Sequence, residues 1–200
     1  FARENEREVK TLSAGVEAVL PQPKLQAGCA SPVNEIVAEN CLPGNPPSEW
    51  DVSGAGDTSI QGFATDISAN RGNTIQFKID TTAALYDIQI YRLGYYGGDG
   101  ARLIHTINNV SGTAQPACSL SPISIGGGST TSGQLLDCGN WSVSASWTVP
   151  ANATSGVYIA RPTRIDNGGA SHIVFIVRDD ASDSDLLFQT SDTTWQSYNP

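Results

Sequence analysis

Residues 87–104, DIQIYRLGYYGGDGARLI, decide the fold of this chain. The segment opens with alternating polar and apolar residues, passes through a glycine-rich turn and closes on a second apolar stretch. Successive side chains of a strand point to opposite faces, and glycine tolerates the backbone angles of a tight turn. The segment therefore predicts two neighbouring strands, with Tyr91, Tyr95 and Tyr96 grouped beside the turn that joins them.

The same alternation continues on both sides of this hairpin. It predicts further strands over residues 59–64, 74–80, 141–149, 156–163 and 171–177. Over residues 141–149 the face expected to be buried carries Trp141, Val143, Ala145, Trp147 and Val149. Residues 108–139 are expected to be the least regular part, with a flexible loop at 126–133. Seven or eight such strands predict an all-β, antiparallel, immunoglobulin-like sandwich of two sheets.

Composition limits the class of protein and its partners. The chain has 200 residues, a formal net charge of −9 and only 16% charged residues. An acidic chain repels phosphate backbones, so no nucleic-acid partner is expected. No run of 18 apolar residues occurs, so no transmembrane segment is predicted.

The four cysteines predict a disulfide framework. Cys29, Cys41, Cys118 and Cys138 form neither a Cys-x-x-Cys pair nor a cluster with histidine, which argues against a zinc site. Three pairings are possible, and short loops favour Cys29–Cys41 with Cys118–Cys138. Disulfides form in oxidising compartments, so the expected location is extracellular or periplasmic.

Three regions are predicted along the chain. Residues 1–28 are expected to be a helical extension and linker, because Val9, Leu12 and Val16 recur at helical spacing and Pro21 ends the pattern. Residues 29–178 are the predicted disulfide-stapled sandwich. Residues 179–200 are predicted to be a linker and, at 186–190, the first strand of a following domain that lies beyond this sequence.

Few residues suggest chemistry, and no catalytic residue or metal ligand is predicted. His105 and His172 fall in predicted strands without a nucleophile elbow, which argues against a hydrolytic triad. Calcium is not expected, since the spacing of the acidic run does not match an EF-hand loop. That run is Asp179, Asp180, Asp183 and Asp185. Three sequons mark Asn109, Asn140 and Asn152 as glycosylation acceptors if the source organism glycosylates.

Several motifs together resemble one family, the N,N-dimethylformamidase large (β) subunit and its secreted relatives. The most distinctive motif is IYRLGYYGG at residues 90–98. The others are NEIVAEN at 34–40 followed by Pro43, Gly44 and Trp50, GFAT at 62–65, NRG at 70–72, GVYIA at 156–160, IVFIVRD at 173–179 and LFQTSDTTWQSYN at 187–199. The resemblance extends over about residues 34–199.

This resemblance implies the following function. The family couples a β-sandwich region to a separate amidohydrolase domain, whose mononuclear iron is held by tyrosines and a glutamate. The motifs here belong to the sandwich, so the chain alone is expected to be non-catalytic, to need no cofactor, and to pack on and shape the downstream domain. The residues expected at that interface are Tyr91, Tyr95, Tyr96, Trp195 and Tyr198.

The alternative is an extracellular module that binds glycan or assembles with copies of itself, with residues 1–20 serving as the assembling segment. Exposed aromatic rings on a sandwich can stack on sugars. Both hypotheses agree on the fold and on the compartment, and they differ in what covers the tyrosine turn.

Overall fold

The structure, a computed structural model, describes residues 28–125, 129–184 and 188–191. Two short helices precede the strands, α1 (Glu35–Asn40) and α2 (Pro47–Trp50). The strands in the described residues are β1 (Ile60–Ala64), β2 (Ser68–Asn70), β3 (Thr74–Thr81), β4 (Leu85–Leu93), β5 (Ala101–Ser111), β6 (Ser119–Ile125), β7 (Ser129–Asp137), β8 (Ala145–Thr148), β9 (Gly156–Arg164) and β10 (Ile173–Arg178).

Two sheets face each other and form the predicted all-β sandwich. The larger sheet has the strand order β2-β10-β9-β4-β5, and the smaller has the order β1-β3-β8. Neighbouring strands run antiparallel, except that β2 pairs with β10 in parallel. The hairpin of β6 and β7 forms a separate two-stranded sheet.

The core lies between the two sheets, where the alternating residues of β3 and β4 meet. Ile75, Phe77 and Ile79 are fully buried as predicted, since every second side chain of β3 points inward. Phe175 of β10 joins the sheets, because its ring lies 5.7 Å from those of Phe77 and Tyr158. Burying one side chain of this size contributes about 1.5–3 kcal/mol to stability.

The strand β4 is buried on both faces towards its end. Tyr86, Ile88 and Ile90 face the sandwich core, while Tyr91 points to the outer face and is 1% exposed. The chain from Asn45 to residue 57, here called the cover segment, lies over this outer face. The second half of β4 therefore lies between the sandwich core and the cover segment, shielded from water on both faces.

The cover segment is fixed by hydrogen bonds to the hairpin. Trp50 donates its indole N–H to the carbonyl of Asp99 at 3.0 Å. Asn45 donates its backbone N–H to the carbonyl of Ala101 and accepts from the N–H of Leu103. The segment thereby satisfies part of the outer edge of β5, which is an edge strand of the larger sheet.

The predicted hairpin of β4 and β5 is confirmed. Its turn contains a short 3-10 segment, Tyr96–Gly98, in which Gly97 and Gly98 have φ angles of 71° and 112°. These angles are readily available only to glycine. The glycine-rich turn is therefore required by the backbone path between the two strands.

The predicted disulfide pairing is also confirmed. Cys29 joins Cys41 with a Cα–Cα distance of 5.5 Å, and Cys118 joins Cys138 at 4.4 Å. The first bridge encloses α1, whose first turn is capped by the Asn34 side chain. The second closes the base of the β6–β7 hairpin. No helix in the described ranges is long and apolar enough to cross a membrane.

Two predictions of local structure, a strand at residues 141–149 and a loop at residues 126–133, were wrong in part. The strand predicted over residues 141–149 covers only Ala145–Thr148, and Val143 is 46% exposed. The backbone N–H of Ser142 binds the Gln115 side chain instead of continuing the ladder. The loop predicted at 126–133 is partly strand, because β7 begins at Ser129. The helix predicted within the extension at residues 1–28 falls on residues that the structure does not describe. Leu186 and Leu187 of the strand predicted at 186–190 also lie outside the described residues, and residues 188–190, which are described, are not in a strand.

Candidate functional site

The tyrosine turn encloses a buried cluster of ionic and phenolic groups, here called the polar cluster. It consists of Glu39 from α1, Arg92 from β4, Tyr96 from the turn and Arg102 from β5. Glu39, Arg92 and Tyr96 are 9%, 4% and 2% exposed. Buried charges are stable only when they are paired and hydrogen-bonded, so the geometry of this cluster decides whether the turn can form.

One carboxylate oxygen lies at the centre of the cluster. Glu39 Oε1 accepts from the hydroxyl of Tyr96 at 2.9 Å and from Arg102, whose Nε and Nη2 lie 2.7 Å and 2.6 Å away. Arg92 Nη1 donates to the same Tyr96 hydroxyl at 2.9 Å. The phenol therefore carries one hydrogen bond from Arg92 on to Glu39.

The remaining N–H donors of the Arg92 guanidinium group also have hydrogen-bond acceptors within the sandwich. Its Nε and Nη2 donate to the carbonyl of Ser155, just before β9. Gly94 allows this close packing, since a Cβ there would lie 2.5 Å from Asn40 Oδ1 and 2.9 Å from Arg92 Nη1. That same Asn40 oxygen accepts from the backbone N–H of Tyr95 at 2.6 Å. The RLGYY motif thus binds the end of α1 through two hydrogen bonds, from Tyr95 to Asn40 and from Tyr96 to Glu39.

Electrostatics keep the central phenol protonated. Burial raises the pKa of the Tyr96 hydroxyl, the hydrogen bond and charge of Arg92 oppose that rise, and Glu39 adds to it. Burial likewise raises the pKa of the nearby Tyr158. At neutral pH both tyrosines are neutral, and Tyr96 acts as a hydrogen-bond donor rather than as a phenolate.

The polar cluster does not fit the iron that the family resemblance implies. The tyrosine and glutamate ligands that the resemblance implies would bind iron through oxygens with free lone pairs. Here Glu39 and Tyr96 are the glutamate and tyrosine that meet, but Arg102 already binds Glu39 Oε1 and Arg92 already donates to the Tyr96 hydroxyl. Two guanidinium cations beside the pair would also repel a metal cation. The cluster is a structural joint between α1 and the hairpin.

The residues predicted at an interface occupy different environments. Tyr91 and Tyr96 are buried, and the Tyr91 hydroxyl donates to the carbonyl of Glu49. Tyr95 is 46% exposed at the tip of the turn. Trp195 and Tyr198 lie outside the described residues. Among the described members of the set, only Tyr95 presents a large surface to solvent.

Two aspartates of the acidic run at residues 179–185 form ion pairs. Asp179 lies 2.8 Å from Arg71, and Asp180 lies 2.9 Å from Arg178. Asp183 is exposed, and Asp185 lies outside the described residues. Within the described ranges, no three His, Cys, Asp or Glu side chains are grouped so that they could hold a metal ion.

The asparagines of the three sequons differ in whether their side-chain amide is hydrogen-bonded. Asn109 and Asn152 are exposed. Asn140 is exposed as well, but its Nδ2 donates to the carbonyl of Ala117 at 2.8 Å beside the second disulfide. A glycan on Asn140 would compete with this hydrogen bond, whereas the other two positions carry no such side-chain contact.

His172 links the cover segment to the larger sheet. Its Nε2 lies 2.6 Å from the carbonyl of Trp50, and because a carbonyl can only accept, the imidazole donates from Nε2. Burial lowers the pKa of His172, partly offset by this hydrogen bond, while the charge of Arg161 lowers it further. The residue is therefore neutral at pH 7.

Three features escaped the sequence interpretation. Glu39 and Arg102 gave no signal, because their partners are distant in sequence. On the outer face of the smaller sheet, the rings of Phe63 and Trp141 lie 5.6 Å apart with Lys78 Nζ 5.9 Å from the Phe63 centroid. Arg161 lines an open polar cleft beside the cover segment.

An apolar groove lies at the β2 edge of the larger sheet, where the chain passes beyond β10. Its volume is about 270 Å³. Ile67 and Phe188 are 45% and 81% exposed there. The residues that line it are Ile67, Ser68, Ile176, Arg178, Phe188, Gln189 and Thr190.

Comparison with known proteins adds a family. Residues 87–200 match the family model described as "N,N-dimethylformamidase beta subunit-like, C-terminal". None of the curated proteins matches the chain. Solved structures with weak likeness include an alpha-2-macroglobulin mutant from Salmonella, at 16% identity and a TM-score of 0.33, covering 69% of this chain and 7% of that one. Another is an AA10 lytic polysaccharide monooxygenase from Streptomyces lividans, at 15% identity and a TM-score of 0.29, covering 63% and 88%.

The polar cluster generates a stability prediction. Changing Glu39→Gln keeps the side-chain shape but leaves Arg102 without its ion-pair partner and weakens the acceptor of the Tyr96 hydroxyl, and we expect the free energy of unfolding to fall by about 3–5 kcal/mol. Tyr96→Phe removes only the bridging hydroxyl and should cost about 1–3 kcal/mol. Equilibrium denaturation in urea measures both.

The matched control is Glu35→Gln on the same helix. Glu35 is paired with Arg71 at the surface, and an exposed pair contributes about 0–1 kcal/mol. An equal loss of stability in the Glu35 and Glu39 variants would contradict the role given to the polar cluster.

His172 generates a pH prediction. Its pKa is lower in the folded than in the unfolded chain, so the unfolded state binds protons first as the pH falls. Its contribution to stability is complete above the ordinary value of 6.5 and is lost as the pH falls below it. We expect the melting temperature to drop between pH 7.5 and 5.5, and His172→Gln to flatten that drop.

The control for this experiment is His105→Gln, since His105 is exposed on β5. Melting curves by circular dichroism at the same pH values compare the two variants. If the melting temperature still drops with pH in His172→Gln but no longer does so in His105→Gln, the role given to His172 is contradicted.

Proposed function

Because this chain belongs to the N,N-dimethylformamidase beta subunit-like family, we propose that it is the non-catalytic β-sandwich of an extracellular or periplasmic protein of that kind. In this proposal the sandwich packs on a downstream amidohydrolase-type domain and shapes it. The disulfides fit the compartment, since such bridges persist under oxidising conditions.

The observation that carries the proposal is the internal use of the family's signature motif. The side chains of Arg92 and Tyr96 are consumed in holding α1 to the hairpin, and the nearby Tyr91 is buried under the cover segment. Groups so deeply buried and so fully paired are suited to support rather than to contact a substrate. The chemistry of the protein is then assigned to the downstream domain, together with any iron.

The apolar groove is the surface proposed for the downstream domain. Phe188 belongs to the chain that follows β10 and is 81% exposed, and Ile67 lies exposed across the groove. A large apolar side chain exposed beside a second one favours burial by another part of the protein. The groove is continuous with the chain that leads to that domain, which makes the domain its natural occupant.

The test compares this chain with the protein that carries its downstream region. We expect Ile67→Asp to lower the melting temperature of the longer protein more than that of the 200-residue chain, because only there would a charge be buried at the groove. Val143→Asp is the control, since Val143 is equally exposed, at 46%, but lies in the segment before β8. It should affect both proteins equally.

Hydrolysis of N,N-dimethylformamide supplies the second measurement. The longer protein should release dimethylamine, and the 200-residue chain should not. Turnover by the short chain would overturn the non-catalytic assignment, and an Ile67→Asp effect of the same size in both proteins would overturn the docking assignment.

The aromatic pair of Phe63 and Trp141 favours the second candidate function, glycan binding. Trp141 is held by its indole N–H, which donates to the carbonyl of Pro116 at 2.9 Å. A fixed indole beside a phenyl ring on an outer sheet face can stack on a sugar ring, and the Lys78 ammonium group, which donates to the carbonyl of Gly139, lies beside the Phe63 ring.

Fluorescence titration with oligosaccharides of β-1,4-linked glucose and N-acetylglucosamine tests this candidate. If the pair is a sugar platform, Trp141→Ala abolishes the fluorescence change and Tyr95→Ala, an exposed aromatic at the turn, preserves it. A wild-type chain that gives no change with either oligosaccharide eliminates the candidate.

A further inference from the structure

A polar cleft of about 400 Å³ lies on the outer side of the larger sheet, away from the polar cluster and the apolar groove. The cover segment forms one wall, the turn before β10 forms the other, and β9 contributes Arg161. Its principal lining residues are Asp51, Gly56, Asp57, Arg161, Gly168 and Gly169. The volume is in the range of pockets that hold small molecules.

The three nitrogens of the Arg161 guanidinium group have different environments. Nη1 donates to the side-chain oxygens of Gln89 at 3.2 Å and Thr163 at 2.8 Å, which fixes the guanidinium plane. Nε is buried without a hydrogen-bond partner among the described residues, and leaving a buried charged donor unpaired is costly. Nη2 has no partner among the described residues either, and it is not shielded from the cleft. Nη2 is therefore the donor that a ligand can reach, and a charge-assisted hydrogen bond from it to a carboxylate is stronger than a neutral one.

Two carboxylates line the same cleft without pairing with this arginine. Neither Asp51 nor Asp57 lies within ion-pair distance of Arg161 in the described structure. Asp57 accepts from the backbone N–H of Ser59 at 2.8 Å, which lowers the pKa of its carboxyl group. The cleft therefore presents a fixed positive group and separate negative groups at neutral pH.

The walls of the cleft are preformed. The backbone N–H of Asp57 donates to the carbonyl of Ala170 at 2.8 Å and ties the two walls together. Gly56 permits this approach, since a Cβ there would lie 2.8 Å from the Cα of Ser171. A site that needs no rearrangement loses less free energy when a ligand binds.

We propose that this cleft binds a small zwitterion, a molecule that carries a carboxylate and an ammonium group a few bonds apart, such as an α-amino acid. The carboxylate pairs with Nη2 of Arg161, and the ammonium group pairs with Asp51 and Asp57. The two aspartates and the net charge of −9 disfavour a multiply charged anion such as phosphate. A zwitterion has no net charge and escapes this repulsion.

Three probes of similar size separate the contributions of the two charges. L-alanine carries both groups, propionate carries only the carboxylate and propylamine only the ammonium group. Amide signals of Gly56, Gly168 and Gly169 in NMR spectra of the chain report binding. We expect saturable shifts with alanine, and affinities lower by about tenfold or more for the other two probes, since each lacks one charged contact.

Variants assign the contacts to residues. Arg161→Gln should abolish the shifts produced by alanine. Asp51→Asn, at an exposed position that should not disturb folding, should reduce the preference for alanine over propionate. Arg178→Gln is the control, since this arginine lies on β10 outside the cleft lining, and it should leave the shifts unchanged.

The proposal is overturned if alanine gives no saturable shift, or if propionate binds as tightly as alanine. It is also overturned if Arg161→Gln binds alanine like the wild type. Should Arg161→Gln fail to fold, which a collapsed amide spectrum would reveal, the Asp51→Asn comparison decides the question by itself.

Discussion

The carboxylate of Glu39 is the contact on which the tyrosine turn depends. The buried guanidinium of Arg92 donates only to neutral oxygens, and one of these, the Tyr96 hydroxyl, in turn donates to the Glu39 carboxylate. The same carboxylate holds Arg102 on the neighbouring strand. Glu39, from a helix of only six residues, thus provides the negative charge for a hairpin that begins at Leu85, 46 residues further along the chain.

This arrangement changes how the family motif should be understood. A cluster of tyrosines beside a glycine turn suggests a binding surface, yet Tyr91 and Tyr96 are buried, and only Tyr95 of the three is largely exposed. The motif joins three parts of the chain, which are α1, the hairpin and the cover segment. Conversely, the groups that remain available lie elsewhere, at the β2 edge, on the outer face of the smaller sheet and in the cleft beside Arg161.

Alternation of polar and apolar residues predicted most of the strands, but it could not predict contacts between residues that are far apart in the sequence. Alternation in β3 and β4 was enough to identify Ile75, Phe77 and Ile88 as core residues, because strand periodicity needs no knowledge of the partner. It failed over residues 141–144, where the pattern continues but Gln115 takes the backbone N–H that a ladder would use. Glu39 and Arg161 could not be found, since their importance comes from groups brought together by the fold.

The bridge between Cys29 and Cys41 has a consequence for the polar cluster. A helix as short as α1 is not stable in water by itself, so the bridge that encloses it and the contacts with the hairpin together hold its position. Glu39, the ion-pair partner of Arg102, lies within the loop that this bridge closes. The electrostatic balance of the hairpin is therefore coupled to the oxidation state of the cysteine pair.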